Sequence, residues 1–389
     1  MPGVEKRRQT DAAVRIEFNT QGRETICLAK RTYFFTGFPG FLATRIIDRL
    51  IAEEPGSDFE LLVHPSAMES ARLRAEQLSE GRKTGRLRLI EGDITKPGLG
   101  LASALSDELH ETVTRVFHLA AVYDLAVPEA LAQSVNVTGT RNVNAWVLQC
   151  RQIRRYVYFS TAYVSGDRKG KVLETELACG QGFKNHYERT KYDAEVLVQY
   201  ARDRVPTTII RPGIVLGDSN TGETEKFDGP YFIMRFLDKF SRFPIPYIGR
   251  GKATINLVPV DYIVDATCWL ARHPSGADQV YHLADPSPYL ARDAFRLISE
   301  SLSGKKPRFT VPKSSIYLML SVPAFRKWVQ VERETLDYFH LESDFDCTHA
   351  LRDLEPAGIW CPDFADYIPR AVDYYKQHRN DPRKRIPVE

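Results

Sequence analysis

The run TGFPGFLA at residues 36–43 constrains this chain more than any other stretch. It follows a short aromatic run, TYFF at 32–35, and precedes TRIIDRLIAEEPG. A turn alone would need one glycine, whereas Gly37, Gly40 and the small Ala43 recur at a spacing of three. Downstream, Ile46, Ile47, Leu50 and Ile51 fall on one helical face, and Pro55 and Gly56 mark its end. The order is strand, glycine turn, helix. In the first such unit of a parallel sheet, Gly37 would permit the tight turn and Gly40 the approach of backbone N–H groups to a phosphate. Ala43 would let the helix pack on the strand, and the helix N-terminus would add partial positive charge.

The same alternation continues along the chain. FELLV (59–63), RLRLI (86–90), RVFHL (115–119), RYVYF (155–159) and TTII (207–210) are strand-like, and QVYHL (279–283) rejoins them late. Helical segments lie between them, as with Val143, Val147 and Leu148. This pattern predicts an α/β fold, a Rossmann-like doubly wound parallel sheet. After residue 218 the pattern loosens into TGETEKFDGP and PIPYIGRGK. The expected organisation is an N-terminal extension (1–29) and a dinucleotide-binding domain (30–218, completed by 253–285). A smaller, mainly helical C-terminal substrate lobe would comprise 219–252 and 286–389.

Composition excludes several classes. A net charge of +3 on 389 residues gives no nucleic-acid-binding surface. The six cysteines form no C-x-x-C pair, which argues against a metal site or redox motif and for reduced thiols in a cytoplasmic protein. The basic N-terminal cluster has no apolar run behind it, so no ordinary secretory signal is expected. No run approaches the ~18 apolar residues of a membrane span. The nearest, SSIYLMLSVPAFRKWV at 314–329, is expected to be a buried or groove-lining helix. Membrane-surface contact through Arg326 and Lys327 is the less favoured alternative.

The end of the second strand bears on the cofactor. NAD sites usually carry an acid there for the ribose 2′-hydroxyl. Here the strand ends LVHPSAMESARLR, with His64 at the tip and Arg72 and Arg74 following, so NADP is expected unless both arginines only solvate the next helix. Asp93, in GDI at 92–94, could accept from an adenine amino group while Ile94 covers the ring. Ala120 and Ala121 leave room for ribose and diphosphate; His118 before them is expected to be a packed core histidine.

The chemistry is expected further along. YERTK places Tyr187 and Lys191 at i and i+4 on a helix. A lysine ammonium beside a phenol favours phenolate, and the phenol could exchange a proton with a carbonyl oxygen. FSTAYVSG (159–166) puts the hydroxyls of Ser160 and Thr161 at a strand tip, where either could bond the same oxygen.

Taken together, TGFPGFLA, GDI, HLAA (118–121), NVTGT (136–140), FSTAYVSG and YERTK resemble the extended short-chain dehydrogenase/reductases. The chain looks most like the branch of fatty acyl-CoA reductases and of the thioester-reductase domains of carboxylic acid reductases and peptide synthetases. EGDITKPGLGL (91–101), STAYV and RPGIVLGDSNTG (211–222) carry that closer likeness. It covers roughly residues 30–270, and FDCTHALRDLEPAGIWCPDFADYI (345–368) is similar to the family's closing segment. One departure is LVH where the family often has LVR, which moves the 2′-phosphate contact to Arg72 or Arg74.

The resemblance implies cofactor contacts from Thr36, Gly37, Pro39, Gly40, Phe41 and Leu42, and from Leu119, Ala120, Ala121 and Asn136. It places Pro212, Gly213 and Ile214 beside the nicotinamide. Lys191 would bind the nicotinamide ribose, and the carbonyl oxygen would sit between Tyr187 and Thr161, with Ser160 the second choice of hydroxyl. The implied reaction is NADPH-dependent reduction of an acyl thioester to aldehyde, and further to alcohol with a second hydride. The thioester would come from CoA or a separate acyl-carrier protein. Rival readings are an extended-family enzyme acting on a ketone, a sterol-like alcohol or a sugar nucleotide, and a dinucleotide-binding protein without turnover. For a lipid-like acyl group, Phe232, Ile233, Phe236 and Leu237 would form one apolar wall and SIYLMLSV (315–322) a second, unless both simply pack as core.

Overall fold

The run Thr32–Thr36 is buried on both faces, as expected of a central strand in a parallel sheet covered on two sides. In the computed structural model, which describes residues 14–18, 24–28, 31–82, 85–123, 127–241, 243–249, 251, 253–322 and 342–384, this strand is the pivot of the sheet. Seven parallel strands are numbered here in chain order: β1 (Thr32–Thr36), β2 (Asp58–Val63), β3 (Leu87–Glu91), β4 (Arg115–His118), β5 (Arg155–Phe159), β6 (Thr207–Pro212) and β7 (Gln279–Leu283). Their spatial order is β3-β2-β1-β4-β5-β6-β7. The chain winds outward from β1 to β3, then returns to β4 on the other side of β1. The switch of direction opens a crevice at the carboxyl ends of β1 and β4, where ligands bind in such sheets.

Among the described residues, nine of the longer helices flank or extend the sheet: α1 (Phe41–Glu53), α2 (Met68–Ser79), α3 (Ser103–Thr112), α4 (Gly139–Val147), α5 (His186–Ala201), α6 (Pro230–Lys239), α7 (Val260–Arg272), α8 (Ala291–Ser303) and α9 (Phe364–His378). Strand alternation sends Tyr33 and Phe35 to one face, where they join Ile46, Ile47 and Leu50 of α1 and Ile263 and Ala266 of α7. Phe34 points the other way, into Val143 and Trp146 of α4 and Ala194 and Val198 of α5. Phe34 stacks on Trp146 at 4.4 Å and Phe35 on Phe117 at 4.6 Å. Each such aromatic contributes about 1.5–3 kcal/mol by burial, so the sheet is anchored on both faces at the strand that carries the glycine turn.

A separate apolar cluster lies beyond the sheet. Phe227, Tyr231, Met234 and Leu237 around α6 meet Phe295 and Ile298 of α8 and Tyr367 and Val372 of α9. Phe232, Ile233 and Leu237 are buried, and Phe236 is half-buried against Phe240 at 4.8 Å. The α6 stripe is therefore mostly core, and its reading as an open acyl wall is corrected accordingly: that face is already covered by protein. Of the second expected wall, Lys313–Leu320 is helical; Ile316 is buried, while Leu318 is 73% and Met319 41% exposed. Of the expected buried or groove-lining helix, full burial is thus not seen, which leaves the groove-lining form, and residues 323–329 lie outside the described residues. No helix among the described residues is long and apolar enough to cross a membrane.

Two short parallel pairs tie the later chain to the sheet domain. Ile214–Leu216 pairs with Leu257–Pro259, and Gly170–Val172 pairs with Ser343–Phe345. Within the stretch expected as an N-terminal extension, Val14–Phe18 and Glu24–Leu28 form an antiparallel pair that periodicity did not reveal.

Candidate active site

The glycine turn closes against β4. Gly37 has φ +90°, and a Cβ there would lie 2.7 Å from the amide nitrogen of Ala120 and 2.8 Å from the carbonyl carbon of Leu119. Only glycine permits both that conformation and that approach. The Gly40 N–H donates to the Gly37 carbonyl at 2.8 Å, and the Thr44 N–H to the Gly40 carbonyl at 2.9 Å. The turn therefore passes directly into α1. No side chain caps α1, and no acid stands in its first turn. The unpaired N–H groups that begin every helix thus remain for an anion, between the half-buried Pro39, Phe41 and Leu42. A backbone cradle that a Cβ would fill, at an acid-free helix N-terminus, fits a dinucleotide pyrophosphate.

Thr36 and His118 fix the floor of this crevice. Thr36 Oγ1 and His118 Nδ1 are 2.7 Å apart, and His118 Nε2 lies 3.0 Å from Thr140 Oγ1. The Ala120 N–H donates to Thr36 Oγ1 at 3.2 Å. Burial, and secondarily the Lys191 ammonium, pushes His118 down to about 3. It is a neutral core histidine bridging β1, β4 and α4. Leu119, Ala120 and Ala121 are half-buried at the crevice edge.

At the opposite end, Asp93 Oδ1 accepts from the Thr95 N–H at 2.9 Å and its hydroxyl at 2.7 Å. Ile94 lies against α4 where Gly139 has no side chain: a Cβ there would meet Ile94 at 2.6 Å. His64 ends β2 and caps the turn Pro65–Ala67 by accepting from the Ser66 N–H at 3.3 Å. The two arginines separate. Arg72 is exposed, whereas Arg74 forms an ion pair with Glu225.

The hydroxyls of Ser160 and Thr161 point to different partners. Ser160 Oγ donates to Glu195 Oε2 at 2.5 Å, inside the protein. Thr161 lies beside the Tyr187 phenol, whose proton affinity its hydroxyl lowers, and accepts from the Tyr163 N–H at 3.3 Å. Tyr187 opens α5, whose N-terminus is fixed twice. Asn185 Oδ1 accepts from the Glu188 N–H at 2.9 Å, and Glu188 Oε2 accepts from the Lys184 N–H at 3.1 Å. Such a reciprocal cap sets the entry angle of the helix, and with it the position of the half-buried Tyr187.

Lys191 departs from expectation. Its Nζ donates to Phe159 O at 2.6 Å and Tyr158 Oη at 3.0 Å, and it lies 4.5 Å from the Tyr158 ring centroid. Burial pulls Lys191 down to about 7, against the opposing pull of Glu195. Burial pushes Tyr187 up to about 12, against the Thr161 hydroxyl. The expected phenolate is thus corrected: the ammonium is turned towards β5, and Tyr187 keeps its proton.

Asn136 sits in a π-helical turn, Gln133–Thr138. Its amide is spent on protein: Oδ1 accepts from the Val122 N–H at 2.9 Å, and Nδ2 donates to Val122 O and Thr190 Oγ1, each at 3.0 Å. Its side chain is a clamp between the end of β4 and α5. Pro212 ends β6, and Gly213 follows with its N–H on Leu283 O at 3.1 Å. A Cβ at Gly213 would strike Asn256 Oδ1 at 2.7 Å, and the Ile214 N–H donates to Asn256 O at 2.9 Å.

Sequence reasoning missed the group beneath the site. Arg211 and Glu195 form an ion pair with exposures of 1% and 0%. Arg211 also reaches Glu174 O at 3.3 Å and His282 Nε2 at 3.2 Å. The available signal was Glu195 at i+4 from Lys191 and i+8 from Tyr187, a carboxylate on the inward side of the same helix.

Comparisons with known proteins follow the same outline. The model of the NAD-binding family described as male sterility protein matches residues 35–267. The large subunit of L-2-aminoadipate reductase from Penicillium chrysogenum is 30% identical over 277 residues, which is 65% of this chain and 19% of that protein. A fatty acyl-CoA reductase of Drosophila melanogaster is 25% identical over 64% of this chain and 56% of its own. The chain thus spans about a fifth of the first relative's length and about half of the second's. Among solved structures, the terminal R domain of the myxalamid PKS-NRPS pathway superposes with a TM-score of 0.75 at 25% identity, covering 90% of this chain and 92% of that one. A thiolation-reductase di-domain from an archaeal non-ribosomal peptide synthetase shares the fold, with a TM-score of 0.69 at 19% identity over 90% of this chain and 76% of that one. This chain belongs to the male sterility protein family, and is an NAD(P)-dependent oxidoreductase of the extended short-chain dehydrogenase/reductase type.

Proposed function

We propose that the chain uses NADPH to reduce an acyl thioester to an aldehyde, and that Thr161, Tyr187 and Lys191 carry the reaction. The observation that carries this reading is the position of the Thr161 hydroxyl at the end of β5 beside the Tyr187 phenol, whose proton affinity it lowers. Two hydroxyls converging there suit one carbonyl oxygen. Support also comes from relatives named as reductases of aminoadipate and of fatty acyl-CoA, and from a solved neighbour in which a reductase adjoins a thiolation domain.

A nicotinamide held in this crevice would supply the hydride to the carbonyl carbon. Thr161 donates a hydrogen bond to the carbonyl oxygen, and Tyr187 gives that oxygen its proton. The product of this step is a thiohemiacetal; breaking its C–S bond returns the proton to sulfur and leaves aldehyde and free thiol. Lys191, which donates to Tyr158 and Phe159 here, would contact the nicotinamide ribose by giving up one of those bonds. Ser160 acts through Glu195 rather than on substrate. Arg74 is the better candidate for the 2′-phosphate: it meets Glu225 in the same segment whose Glu223 pairs with Arg45 of α1, whereas Arg72 is exposed on the opposite flank of α2. The chain is read as a cofactor domain (30–218 with 253–285) and a substrate lobe (219–252 with 286–389); the cluster around α6, α8 and α9 supports a separate lobe, while Phe345, Cys347, Ala350 and Leu354 of the later chain pack with the sheet domain. The thioester is offered as CoA or carrier-protein conjugate.

Thr161→Val keeps the branched shape and removes the hydroxyl. Turnover should fall by roughly 10²-fold or more, as for loss of one oxyanion donor, while Ser160→Ala stays within a few-fold of wild type. The opposite pattern would assign the catalytic hydroxyl to Ser160 and remove the observation on which the reading rests.

A further inference from the structure

The segment 218–228 leads from the strand Ile214–Leu216 into α6 and crosses three elements that border the crevice. Arg45 of α1 pairs with Glu223 at 2.6 Å and lies 4.0 Å from Asp218. Arg74 of α2 pairs with Glu225. Lys226 Nζ reaches Tyr123 Oη, just after β4, at 3.5 Å. The strap is anchored from behind: the Phe227 N–H donates to Lys384 O at 2.9 Å, and Lys384 Nζ donates to Thr224 O at 2.6 Å.

Helix geometry selects one arginine. Ala71, Ala75 and Leu78 are the buried face of α2. At about 100° per residue, Arg74 and Arg72 lie on opposite flanks of that face. Arg74 is on the flank that meets the strap, the same strap that Arg45 of α1 holds through Glu223. The Arg74–Glu225 pair is 37% and 33% exposed. It is therefore screened and weak, and a phosphate dianion is a stronger partner for a guanidinium.

We propose that Glu225 competes with the cofactor's 2′-phosphate for Arg74, and so limits the preference for NADPH over NADH. This rests on the NADPH reading above. With NADH bound, Arg74 keeps Glu225. With NADPH bound, Arg74 turns to the phosphate and the strap loses its ion pair to α2 while keeping those to Arg45.

Dissociation constants for NADPH and NADH, measured by calorimetry on wild type, Glu225→Gln and Arg74→Gln, test this without turnover. Glu225→Gln should tighten NADPH by about two- to fivefold, the range of an exposed ion pair, and leave NADH unchanged. Arg74→Gln should weaken NADPH selectively, and adding Glu225→Gln to it should then change nothing. An unaltered NADPH-to-NADH ratio in Glu225→Gln overturns the competition. If Arg74→Gln also leaves the ratio unaltered, Arg74 is not the phosphate ligand and the NADPH reading loses that support as well.

Discussion

Glu195→Gln probes the charge beneath the site. Arg211 Nε lies 3.1 Å from each Glu195 oxygen and Nη2 lies 2.6 Å from Oε1, while Ser160 donates to Oε2 at 2.5 Å. Both ions are within 1% of full burial. Glutamine preserves the shape but leaves the guanidinium without its counter-charge, and one of its polar ends becomes a donor facing donors. Removing one partner of a buried pair costs about 3–5 kcal/mol. Urea unfolding of wild type and variant measures this directly. A double-mutant cycle sharpens it: Glu195→Leu with Arg211→Met should recover much of the loss, because the cost is an uncompensated charge rather than a missing contact. A loss below about 1 kcal/mol, the level of an exposed pair, would refute the claim that these charges are desolvated and coupled.

Three further outcomes are expected. Gly37→Ala should abolish NADPH binding in a titration and lower stability, because its Cβ meets the backbone of residues 119 and 120 at a φ costing about 1–2 kcal/mol; retained affinity would mean that the crevice floor is not where the cofactor lies. Lys191 is held down to about 7 by burial, against Glu195, so the cofactor-free enzyme carries that charge below pH 7 and loses it above. The kcat/KM for thioester should therefore fall as pH rises through about 7, with the limb displaced downward in Glu195→Gln, and a profile flat to pH 9 would remove the charged role. Asn185→Ala should cost about 0.5–2 kcal/mol as a lost helix cap and slow turnover through Tyr187; an unchanged denaturation midpoint would show that the cap does not fix α5.

The sheet was legible because its strands are short apolar runs at regular spacing, and six of the seven expected runs match to within one residue at each end. TTII at 207–210 extends further, to Pro212, because Arg211 is buried by an ion pair that a single sequence does not display. The glycine turn was legible because Gly37 meets a constraint that only its residue type satisfies. Side-chain direction was not legible. Ser160 and Thr161 are adjacent hydroxyls, yet consecutive residues point to opposite sides and only one meets Tyr187. The i, i+4 spacing of Tyr187 and Lys191 places them on one helix face but does not say that Lys191 turns to Phe159 O. The α6 stripe illustrates the converse: periodicity marks an apolar face without naming what covers it, and here it is α8 and α9.

The central claim is that this site breaks a carbonyl–sulfur bond. Purified protein incubated with NADPH and an acyl-CoA, with NADPH oxidation and free thiol followed together, tests it most directly. Thiol should appear with aldehyde at one per NADPH, or one per two NADPH where alcohol forms, and Tyr187→Phe should slow both signals together by about 10²-fold or more. Oxidation of NADPH by ketones or aldehydes with no thiol released from acyl-CoA or acyl-carrier protein would contradict it.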